Sequence, residues 1–76
     1  MFIRVTEEDI VKGERQSPLT CPLALAIKRR RDTEDVFVMN GAFTVAGEYK
    51  LLSNSGRKFV KAFDTGETVR PGIYWI

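Results

Sequence analysis

Seven consecutive uncharged residues, Cys21-Pro22-Leu23-Ala24-Leu25-Ala26-Ile27, run directly into Lys28-Arg29-Arg30-Arg31, and this stretch most constrains what the chain can become. Leu and Ala are strong helix formers, Pro22 suits a first helical turn, and a segment apolar on most sides must be packed on most sides. It therefore predicts a buried central helix with a basic end. Two starts compete: Ser17 ahead of Pro18, and Thr20 ahead of Cys21 and Pro22. Thr20 is preferred as the N-cap. Asp32-Thr33-Glu34-Asp35 forms an acidic break, being poor in helix formers and of the wrong sign for a helix C-terminus.

The rest of the chain must cover that helix within 76 residues, which leaves room for one domain, residues 1–76. A chain of this length buries only about 60% of its unfolded surface, so the core is small. Before the helix, Phe2-Ile3-Arg4-Val5 reads as a strand. Thr6 then caps a two-turn helix, with Asp9 where a capping-box carboxylate sits, Val5 and Ile10 spaced as a hydrophobic staple, and Gly13 as the stop.

After the acidic break the periodicity changes to two. Val36–Met39, Asn40-Gly41 and Ala42–Val45 read as a hairpin on a type I′ turn, with Val38 facing Phe43 and Val36 facing Val45. Ala46-Gly47 is a second tight turn into Glu48–Leu51, which places Tyr49 and Leu51 on one face of a third strand. Ser53–Gly56 reads as a turn ahead of a short amphipathic helix. In that helix Phe59, Val60, Ala62 and Phe63 share one side, and Arg57, Lys58 and Lys61 the other. Asp64-Thr65-Gly66 ends it, and Ile73–Ile76 forms an aromatic terminal strand that should dock into the sheet. The fold class that follows is α+β: a small antiparallel sheet, made of a three-stranded meander plus terminal strands, packed on a central helix with two short helices at its edges.

Chemistry is sparse in this sequence. Cys21 lies near a helix N-terminus, where a thiolate is stabilised, but the chain has no His to serve as its base, so burial as a small hydrophobe is the better reading. One thiol and no imidazole make a poor metal set. Glu7, Glu8 and Asp9 point about 100° apart on a helix and do not converge, and Asp32, Glu34 and Asp35 offer too few oxygens for calcium. The glycines lie in separate turns and match no phosphate loop. No catalytic residue and no cofactor is expected, and the chain reads as a non-enzyme.

Charge gives two candidate contact groups. The net charge of +2 does not by itself imply nucleic acid. Lys28, Arg29, Arg30 and Arg31 fan around the helix end, which suits capping; Arg57, Lys58 and Lys61 share a face and make the better patch. Together with exposed aromatics such as Tyr74 or Trp75, the two groups would form a phosphate-binding surface if the fold placed them side by side. A single cysteine, no apolar run of about 20 residues and no signal-like start point to the cytoplasm and away from a membrane.

Thr6-x-x-Asp9-Ile10-x-x-Gly13, Cys21-Pro22-x-Ala24-Leu25-Ala26, Phe59-x-x-x-Phe63-Asp64-x-Gly66 and Val69-x-Pro71 together resemble a loose group of small uncharacterised proteins from bacteriophages, prophages and bacteria. The resemblance covers nearly the whole chain and brings no activity, site or cofactor with it. It implies a compact phage-type accessory protein in the host cytoplasm. The expected function is a small non-enzymatic module that binds and occludes a host protein or antiviral complex, its working surface either the basic face near Lys61 or the exposed side of the hairpin. The alternative is a nucleic-acid-binding protein that uses the basic helix face.

Overall fold

The computed structural model describes residues 1–76. Strand β1 (Phe2–Val5) leads into helices α1 (Glu7–Lys12) and α2 (Pro22–Arg31). A meander of β2 (Val36–Val38), β3 (Ala42–Val45) and β4 (Glu48–Leu51) follows, and then α3 (Asn54–Asp64) and β5 (Gly72–Trp75). The α+β class is as the sequence predicts. The terminal strands, however, do not extend the meander: β1 pairs antiparallel with β5 in a ribbon of its own, and β2-β3-β4 form a separate sheet. The end of the ribbon is held by Ser53, whose N–H donates to the Ile76 carbonyl and whose hydroxyl donates to the Trp75 carbonyl. The end of β5 is thus tied to the junction of β4 and α3, where the Ser53 N–H follows the last ladder bond from Leu52.

Helix α2 packs against β1, β2 and α1 and supplies Leu23, Ala24, Ala26 and Ile27 to one continuous core. Ile3 and Val5 enter that core from the ribbon, Val36, Val38, Phe43 and Val45 from the meander, and Phe59 and Val60 from α3. Alternation within each strand decides which side chains go inside, and each fully buried aliphatic or Phe side chain contributes about 1.5–3 kcal/mol.

Helix α2 starts one residue later than the sequence suggests. Its N-cap is Cys21, whose Sγ accepts from the Ala24 N–H at 3.4 Å, so that Pro22 falls at the first helical position, where it needs no donor. Thr20 is occupied elsewhere, its hydroxyl bonded to Ser17 and Glu14 and its carbonyl accepting from the Glu14 N–H. Ser53-Asn54-Ser55-Gly56 is likewise no free turn: Ser53 caps α3, its hydroxyl accepting from the Gly56 N–H, and Gly56 is buried in the first helical turn.

Both meander registers follow the sequence reading, with Val36 opposite Val45, Val38 opposite Phe43 and Thr44 opposite Tyr49. The turn chemistry is exchanged between them. Neither Asn40 nor Gly41 has a positive φ, so theirs is not a type I′ turn; the left-handed pair is Ala46 (φ 49°) and Gly47 (φ 82°). The Gly41 carbonyl accepts from the Leu52 N–H at 2.9 Å, which continues the β3–β4 ladder past the end of β3 and ties this turn to the next strand.

Helix α1 has the predicted capping box, Thr6 and Asp9 exchanging bonds of 2.9 and 3.1 Å. Gly13 ends it at φ −68°, where any residue fits, so left-handed backbone is not the reason for glycine there. The reason is contact: a Cβ on Gly13 would lie 2.5 Å from Pro22 Cδ and 2.7 Å from the Asp9 carbonyl oxygen.

Candidate functional site

The basic run at the end of α2 is largely committed inside the molecule. Arg29 reaches back 20 residues to Asp9 and makes a two-pronged ion pair, Nη1 to Oδ1 and Nη2 to Oδ2, both 2.8 Å, while Nη2 also donates to the Arg4 carbonyl at 2.9 Å. Asp9 is the one buried charged side chain, and Oδ2 also accepts from the Thr6 N–H. Burial alone would push its carboxyl up, but the Arg29 guanidinium and the Thr6 donors outweigh it and hold the pKa below the usual 3.8. One carboxylate thereby closes the α1 capping box and joins α1, α2 and β1.

The other members of the run have separate fates. Lys28 donates to the Leu19 carbonyl at 2.7 Å and lies 3.8 Å from Glu34. Arg31 lies 3.8 Å from Glu48, and Arg30 is exposed and forms no ion pair. The groove beside them is lined by Glu8, Asp9, Lys12, Lys28, Arg29 and Glu34, whose charges pair with one another.

Arg57, Lys58 and Lys61 are exposed on one face of α3 and form no ion pair. They do not merge with the α2 group. Arg57 lies beside Gly41 at one end of β3, whereas Arg31 reaches Glu48 beyond the other end. Tyr74 is no free platform either: its ring packs edge-on against Phe59 at 4.8 Å, and its hydroxyl donates to the Arg70 carbonyl. Trp75 stays half exposed and packs edge-on against Phe2 across the ribbon.

Cys21 is buried beneath the meander side of α2, and burial pushes its thiol above the usual 9.0, which outweighs the donors at the helix start. The carboxylates and the thiol form no cluster with metal-ligand geometry.

The surface that the sequence marked least plainly is the outer face of the meander. Alternation turns Val36 and Val38 inward and Phe37 outward, and the register then aligns Phe37, Thr44 and Tyr49 in one row, with Leu51 two residues further along β4. Phe37, Tyr49 and Leu51 are 40%, 65% and 66% exposed, and no charged side chain of the three strands shares their face. Glu48 and Lys50 are on the opposite, helix-facing side. The signal was present in the period-two pattern, once Val36 and Val38 were assigned to the core.

No family model, curated protein or solved structure matches the chain. No helix is long and apolar enough to cross a membrane.

Proposed function

We propose that this protein is a small non-enzymatic binding module whose working surface is the outer face of the β2-β3-β4 sheet. The observation that carries the reading is the uncharged Phe37-Thr44-Tyr49 row with Leu51, left open to solvent although the fold has a well-formed core elsewhere. Aromatic side chains with charge excluded are the composition of interface centres, and the largest apolar patch of a monomer is often a functional surface. The resemblance of its motifs to small phage and prophage proteins supports a host protein or antiviral complex as the partner, which the module would occlude by covering it.

The test is comparative. Tagged protein expressed in the native host should retain one stoichiometric partner, and the double variant Phe37→Asp with Leu51→Asp should lose it, while Val11→Asp, on an exposed position of α1, keeps it. Both outer-face positions are solvent-exposed, so far-UV circular dichroism should be unchanged. Retention of the same partner by the double variant would overturn the assignment.

A nucleic-acid reading is favoured by one observation, the three unpaired cations Arg57, Lys58 and Lys61 on a single helix face. It predicts binding that falls with salt at a slope of about −2.7 in log–log form for three phosphates on duplex DNA. Unchanged DNA and RNA mobility at low salt would remove it.

A further inference from the structure

We propose that two copies of this chain pair edge to edge through β4, antiparallel about Tyr49, to make one six-stranded sheet. The two edges of the meander are treated differently by the fold. On β2, the outward N–H of Val38 donates to the Pro18 carbonyl at 2.9 Å, so the connector before α2 covers that edge. On β4, the bond from the Leu52 N–H to the Gly41 carbonyl sets the parity of the ladder, so that Glu48 and Lys50 bond to β3 while the backbone groups of Tyr49 and Leu51 point outward. No backbone group of Tyr49 or Leu51 forms a hydrogen bond outside the sheet. The ribbon's edges are each covered at one carbonyl, Arg4 by Arg29 and Trp75 by Ser53, while Phe2 and Ile73 are its other outward-facing positions.

An open edge of this kind is normally blunted by charge. Here the charges alternate in sign, Glu48-Tyr49-Lys50-Leu51, and that selects a partner. Pairing about a two-fold axis at Tyr49 sets Glu48 opposite Lys50 of the second copy, and Lys50 opposite its Glu48. It also makes Tyr49 a hydrogen-bonded pair with its own counterpart, as the ladder parity requires. Pairing about Lys50 would oppose two lysines, and pairing about Glu48 two glutamates, both unfavourable. Glu48 lies 3.7 Å from Lys50 and 3.8 Å from Arg31 within one chain, and a second copy of the same strand extends this alternating row while it satisfies the open backbone. The dimer would place two Phe37-Thr44-Tyr49 rows side by side on one face, but the pairing does not rest on the partner proposed above.

A four-residue ladder buries little area, so association belongs to the weak class and should be followed by sedimentation from about 10 μM to about 1 mM. Dimer should accumulate across that range. Lys50→Glu and Glu48→Lys should each weaken association by about tenfold, because two attractive cross-strand pairs become repulsive. Mixing the two variants should restore it, since each then faces opposite charge, and the restoration also shows that both are folded. Register is read by oxidation: Tyr49→Cys should cross-link to its counterpart at a Cα separation of about 5.5 Å, whereas Leu51→Cys, offset by about 14 Å along the strand, should not. A monomer throughout the range, a dimer indifferent to both charge reversals, or equal cross-linking at the two positions would overturn the proposal.

Discussion

Replacing Arg29 by Ala tests whether the basic run at the end of α2 is structural. The substitution removes a two-pronged bond to a buried carboxylate and a third bond to the Arg4 carbonyl. Hydrogen bonds to charged groups are worth about 1.5–3 kcal/mol, and a buried charge left without its partner costs more; the half-exposed Arg29 side chain and the surviving Thr6 donor reduce that. The expected loss is about 2–3 kcal/mol, a large share of the roughly 4–11 kcal/mol available to a chain of this size. In a thermal melt the midpoint should fall by roughly 10–20 °C. The same pair sets an acid dependence. The carboxyl of Asp9 is held below its usual 3.8 in the folded state, so it contributes stability that is fully present above that value and is lost as pH falls through its lower folded value. Wild-type protein should therefore lose stability steeply under acid in urea titrations, and Arg29→Ala should lose much less over the same interval. A midpoint within about 2 °C of wild type, or an unaltered acid limb, would mean that the Arg29–Asp9 pair does not hold the fold together.

Three further substitutions or measurements address local claims. Gly13→Ala forces a Cβ into Pro22 and the Asp9 carbonyl and should cost about 1–3 kcal/mol in urea unfolding, although the φ of −68° is open to alanine. Ala46→Asn, at a left-handed position ahead of Gly47, should stabilise by about 0.5–1 kcal/mol and raise the melting midpoint; a loss there would contradict the turn geometry. Cys21 should resist alkylation at neutral pH until denaturant is added, because the thiol is buried and its pKa is raised; fast labelling of native protein would contradict its place in the core.

Much of the fold was legible because local signals agreed. The Thr6–Asp9 box, the Val36/Val45 and Val38/Phe43 register and the two faces of α3 all follow from spacing within a few residues. What was not legible depended on groups distant in sequence. The carboxylate of Asp9 and the guanidinium of Arg29 look like capping charge and helix-end charge until packing brings them to 2.8 Å. Asn40-Gly41 carries the composition of a type I′ turn, but neither residue has a positive φ and the Gly41 carbonyl is bonded by Leu52, and the left-handed turn falls to Ala46-Gly47. The terminal strands pair with each other and not with the meander, and their end is held by Ser53, which binds the carbonyls of Trp75 and Ile76. The candidate surface was half legible: the exposed side of the hairpin was expected, whereas its extent across β4 required the register.

Contact between the uncharged outer face of the meander and another protein can be read residue by residue through site-specific photocross-linking in the native host. A photoreactive residue at Leu51 should give one discrete heterologous adduct, and the same group at Val11, more exposed but on α1, should give none. No adduct at Leu51, or the same adduct from both positions, would show that the outer face of the meander is not the contact surface.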